Sequence, residues 1–159
     1  MNNLDAKHFL IVLVCCLLVM INVSQAETIN GATDHAKKVS ALLINGAYQP
    51  SLPSVMPMRA GYLTVKNVSP KLVIIRSVSS PDYESVHIHQ SGIADGLSSM
   101  KMLQHLTLEP GQEITLAPGG IHLMLHHPKY QHRLGDNILM IFQLDSGDDI
   151  TFEMQVTKP

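Results

Sequence analysis

The sequence predicts an all-β domain, a sandwich or a barrel rather than a chain of βαβ units, and three observations predict it. Short apolar or alternating runs recur at a spacing of about 8–12 residues. Clusters of Gly, Pro, Asn, Asp and Ser separate them. No stretch carries a convincing helical period.

Taken in chain order, residues 1–26 read as a secretory signal peptide. Lys7 is the one basic side chain of its short n-region, and Phe9 to Ile21 is an unbroken apolar run. That run is too short for a membrane span, which needs about 20 residues. Ser24 and Ala26 put small residues at −3 and −1, so cleavage is expected after Ala26. Neither Cys15 nor Cys16 is preceded by the small residues of a lipoprotein site, so no lipid anchor is expected. Residues 27–39 are polar and mixed and read as a flexible leader, and 40–159 as the single folded domain.

Within the domain, strands are expected at 40–48, 60–67, 72–79, 84–90, 100–108, 113–117 and 121–126. Residues 50–59 carry three prolines and read as an irregular loop. The end of the chain is the clearest. Ile150, Phe152, Met154 and Val156 alternate with polar residues, which is a strand with one buried face. Ile138, Met140, Phe142 and Leu144 alternate likewise, and Asp145-Ser146-Gly147-Asp148 turns one run into the other as a hairpin.

Composition narrows function. Eleven basic against 13 acidic residues leave a net charge of −2, which argues against nucleic acid as a partner. Both cysteines lie in the signal segment, so the mature domain has no thiolate chemistry and no Cys-based zinc site. The chain is rich in His and Met, with 9 of each. Met140 and Met154 read as core fillers. Met56 and Met58 fall in the Pro-rich loop, and His35, His105 and His132 read as surface or satisfied residues.

Three pairs of soft-metal donors sit at i, i+2 on expected strands: His87/His89, Met100/Met102 and His122/Met124. In a strand, i and i+2 share a face, so each pair can aim two ligands at one point. Two imidazoles with two thioethers make a neutral, soft set suited to Cu(I). Zinc, calcium and magnesium prefer other donors.

The pattern His89-x10-Met100-x21-His122-x-Met124 resembles the copper-ligand signature of the periplasmic copper chaperones of PCu(A)C type, which supply the CuA centre of cytochrome c oxidase. VHIHQS, SSMKM, LEPGQEITLAPGGIHLML and LGDNILMIFQL resemble the surrounding strands and turns of that family, and AGYLTVKN its early strand. Composition alone would produce the spacing about once in a thousand such chains. The resemblance implies a cupredoxin-like Greek-key β-sandwich and a non-enzymatic, periplasmic protein that binds one Cu(I) through His89, Met100, His122 and Met124. It implies a copper acceptor, the CuA subunit, and a thiol-containing assembly partner. His87 stands where the family more often has an acidic residue; it and Met102 are secondary donors, and His87 is a route to an additional Cu(II). His126 and His127 are further extra imidazoles, with two readings open: a second copper, as Cu(II), or simple solvation.

Two other readings compete. His87-Ile88-His89 and Pro118-Gly119-Gly120-Ile121-His122 are similar to the two cupin motifs, which would make a metalloenzyme using His87, His89 and His122. The carboxylate expected shortly after the first motif is absent, however, and the second is one residue short. A metal-free β-sandwich scaffold leaves the spacing to coincidence.

Overall fold

The computed structural model describes residues 40–53, 55–94 and 96–159. The expected signal peptide and the expected leader both lie outside the described residues. Ten strands follow in chain order: β1 (Leu42–Pro50), β2 (Met58–Asn67), β3 (Val73–Ser79), β4 (Tyr83–Ala94), β5 (Leu97–Leu103), β6 (Leu106–Leu108), β7 (Glu113–Leu116), β8 (Ile121–Pro128), β9 (Asn137–Leu144) and β10 (Asp149–Thr157). The fold is all-β, as the turn spacing predicts.

Hydrogen bonding orders the strands β5-β4-β8-β2-β1-β10-β9-β3-β6, with β7 against β2. A further β3–β4 pairing, Val78 opposite Val86, closes the sheet on itself. The β1–β10 pair is parallel, and the other pairs are antiparallel. Closure pairs the strands of the ring on both sides, which removes the exposed edges that an open sheet must protect.

Alternation sorts side chains into the interior. On β2, Arg59, Gly61, Leu63 and Val65 point in, while Met58, Ala60, Tyr62 and Thr64 are more exposed. The centre is filled by Val65, Ile75, Leu108, Leu123, Leu125, Ile138, Met140 and Met154, all fully buried. Met140 and Met154 are thus core residues, as expected. The final hairpin forms as read: Ile150 pairs with Phe142, and Met154 with Ile138. Gly147 supplies the positive φ of its turn. Tyr83, at the start of β4, is anchored by donating its hydroxyl to Gln49 Oε1 at 2.6 Å, with both residues buried.

Two elements differ from expectation. The run 100–108 is two strands, because the chain leaves β5 at Gln104-His105 and crosses to pair with β3 as β6. Met100, Met102, Leu106 and Leu108 share one parity, so a period of two runs through the crossing. Only burial separates the exposed methionines from the buried leucines. The second difference is the length of the β4–β5 hairpin. Ser91 pairs with Met100 and Gly92 with Ser99, although Ser and Gly are poor strand formers. β5 is exposed on both faces from Leu97 to Met102 and is held by its backbone ladder to β4.

Candidate metal centre

The three donor pairs come together on the outward face of β8, β4 and β5. Residues directly opposite in an antiparallel pair share a face, with Cβ atoms about 4.5–5.5 Å apart. His89 is opposite His122 on one side and Met102 on the other. His87 is opposite Met124. Met100 is opposite Ser91, one row beyond His89, so it neighbours His89 diagonally. Of the two β5 methionines, Met102 therefore stands directly beside the histidine pair. Both are about half exposed, at 54% for Met100 and 46% for Met102.

His122 is held most firmly. Its side chain is buried, and Nδ1 lies 3.1 Å from the Gly120 carbonyl oxygen. A carbonyl only accepts, so Nδ1 carries the proton and Nε2 keeps its lone pair. This is the orienting bond that metal-ligating histidines ordinarily make. The 117–121 turn sets it up: Ala117 N donates to Ile121 O at 2.8 Å, Gly120 N donates to Ala117 O at 3.1 Å, and Gly119 adopts φ +77°. The proline–glycine turn thus fixes both the register of β8 and the tautomer of His122.

His89 is the anomaly. Its Nδ1 is buried with no hydrogen-bond partner among the described residues. Burial, then the neighbouring His122, His87 and His126, holds its pKa below the usual histidine value. A neutral ring with an orphaned nitrogen is poised for a metal, because metal binding needs the deprotonated ring. His126 is also shifted down, by burial and then by His87 and His127.

Five imidazoles line this region. Ring centroids are 6.0 Å apart for His89–His122, 6.3 Å for His87–His89, 5.5 Å for His87–His126 and 6.4 Å for His126–His127. Among the described residues, no group of three or more His, Cys, Asp or Glu is arranged to hold a metal. A three-imidazole cupin arrangement of His87, His89 and His122 is therefore not found among the described residues.

His132 is elsewhere: it stacks on Tyr83 and contacts Asp82 at 3.4 Å. His105 sits apart, near Arg76 and Asp145. Met58 was not placed by the sequence, because the prolines made 50–59 read as a loop. The strand begins at Met58 and sets it opposite His126 on the outward face. The usable signal was the Met58-Ala60-Tyr62 alternation running unbroken into the strand. Buried Arg59 ties the preceding loop down, donating to the carbonyls of Pro53 at 2.9 Å and Met58 at 3.1 Å, and also to that of Met56.

Fold and site define an all-β domain with a His- and Met-rich outer face. The family model described as LpqE-like matches residues 42–156, and the chain belongs to that family, of PCuAC type. Among solved structures, the copper-bound PCuAC domain from PmoF2 is 20% identical, with a TM-score of 0.63, over 76% of this chain and 95% of that one. The solution structure of CuI-DR1885 from Deinococcus radiodurans is 22% identical, with a TM-score of 0.61, over 80% of this chain and 85% of that one. The apo PCuAC domain from PmoF1 is 19% identical, with a TM-score of 0.63, over 76% and 96%. No curated protein matches the chain. No helix among the described residues is long and apolar enough to cross a membrane.

Proposed function

We propose that this chain is an exported copper carrier, not an enzyme, which holds one Cu(I) through His89, His122, Met124 and Met100. Met102 and His87 act as secondary donors, and the closed sheet is a flattened cupredoxin-like Greek-key sandwich. The observation that carries the reading is His89 Nδ1, buried and unpartnered beside a His122 whose tautomer is already fixed. The copper in PmoF2 and DR1885, which share the fold, supports the choice of metal. Imidazoles and thioethers are neutral, so the bound ion keeps its single charge and prefers the sulfur that harder ions avoid. Met100 and Met102 are half exposed, so an acceptor's ligands can replace them there first.

By resemblance, the acceptor is the CuA subunit of cytochrome c oxidase, with a thiol-containing assembly partner, and the setting is the periplasm after cleavage at Ala26. The family description speaks of lipoproteins; Cys15 and Cys16 lack the preceding small residues, so we place this chain free of a lipid anchor. The test is anaerobic Cu(I) titration of the exported protein against a competing chelator, beside Met100→Ala and Met124→Ala. A tight first equivalent weakened at least about tenfold in both variants supports the reading. Unchanged binding in both removes the thioethers from the site.

A further inference from the structure

The donor face does not end at the His89–His122 pair. A metal on an imidazole nitrogen lies about 2.0–2.1 Å from it and so about 3.2 Å from the ring centroid. Two rings sharing one metal therefore have centroids at most about 6.4 Å apart, and closer when the angle between them bends. His89–His122 at 6.0 Å and His87–His126 at 5.5 Å fall within that limit. His89–His126 at 6.5 Å and His126–His127 at 6.4 Å lie at the limit itself. His87–His89, at 6.3 Å, would need its rings on opposite sides of the ion. The face thus sorts into two imidazole pairs, and the second, His87–His126, is the tighter.

The second pair has its own thioether. Met58 on β2 is directly opposite His126 and is half exposed, at 47%. Met124, opposite His87 and on the same strand as His122 and His126, stands between the two pairs.

We propose that His87, His126 and Met58 form a second Cu(I) site, weaker and more exposed than the first, with Met124 as the thioether shared between them. This rests on the copper reading of the first site. Transfer along the face is ligand exchange alone. Bonds from copper to His87 and His126 nitrogen and Met58 sulfur form as those to His89 and His122 nitrogen and Met100 sulfur break, the Met124 sulfur stays attached, and copper remains monovalent throughout. Imidazole and thioether are neutral, so no proton need be supplied once both rings are deprotonated. The arrangement gives the protein an entry or exit station on the β2 side of the face, away from the β4–β5 hairpin.

The experiment is anaerobic Cu(I) titration under a competing chelator, using protein exported by cells that express the full chain. Wild type should take two equivalents, the second bound at least tenfold more weakly. His126→Ala and Met58→Leu should each lose the second and keep the first, while His89→Ala should lose the first and keep the second. A single equivalent in wild type overturns the proposal, and so does a second equivalent that survives both variants. If His126→Ala does not fold, Met58→Leu decides alone, because it conserves volume at an exposed position. A wild type that binds no Cu(I) overturns the carrier reading and this one with it, whereas a single equivalent that His89→Ala removes and His126→Ala and Met58→Leu leave intact keeps the carrier reading and overturns this one.

Discussion

His89→Leu should make the copper-free protein more stable while weakening copper binding. Nδ1 of His89 is buried with no partner among the described residues, and burial and the neighbouring histidines disfavour the charged ring. An orphaned buried polar atom costs about 1–3 kcal/mol. Leucine removes that atom and keeps an apolar side chain over the strand. His89 is only partly buried, so the low end of the range applies, a gain of about 1 kcal/mol. For a domain of this size that raises Tm by about 3–6 °C. The assay is thermal unfolding of the chelator-treated variant, followed by circular dichroism, with Cu(I) competition on the same sample. A lower Tm for His89→Leu would refute the reasoning, because Nδ1 would then have a stabilising partner. Unchanged copper affinity would remove His89 from the site. The predicted combination, higher stability with lost binding, is the usual mark of a functional group kept at a cost to the fold.

Further outcomes follow from the same geometry. His89 and His126 titrate below the ordinary histidine value of 6.5 in the folded protein, so as pH falls through 6.5 the unfolded chain takes up protons first. Copper-free stability should therefore fall between pH 6.5 and the depressed folded values, read as the urea midpoint. Replacing both residues with Leu should flatten that step; a step of the same size in the double variant contradicts the assignment. Tyr83→Phe leaves buried Gln49 Oε1 without its donor and should cost about 1–3 kcal/mol in chemical denaturation. An unchanged midpoint would show that Gln49 finds another partner. Burial also pushes the Tyr83 phenol up to about 12 from 10.0, so a fraction of stability should be lost between those pH values as the unfolded chain ionises first. Tyrosinate absorbance should show one phenol titrating last; its appearance near 10 in the folded protein would contradict the burial argument.

The fold was legible where one face of a strand is buried. The last hairpin, β2 and β8 carry apolar residues at alternate positions because the closed sheet has one dry side. Legibility failed where both faces are wet. Among the described residues, Gln90–Ile93 and Leu97–Ser99 add nothing to the buried core, so their pairing rests on the backbone ladder, which leaves no mark on side-chain pattern. Met58 was hidden by its neighbours, because three prolines outweighed the start of an alternation. The gathering of donors on one face was legible because His87/His89, Met100/Met102 and His122/Met124 fall on two-residue strand spacings. The grouping of imidazoles into two pairs was not, because it depends on the register between β4 and β8. Ser85 opposite His126 and His87 opposite Met124 set that register, and no local spacing encodes it.

X-ray absorption at the copper edge of the exported protein, loaded with one equivalent of Cu(I), tests the central claim most directly. The account predicts a first shell of both nitrogen and sulfur, with the sulfur contribution reduced in Met124→Leu and Met100→Leu. A shell of nitrogen and oxygen alone would contradict it.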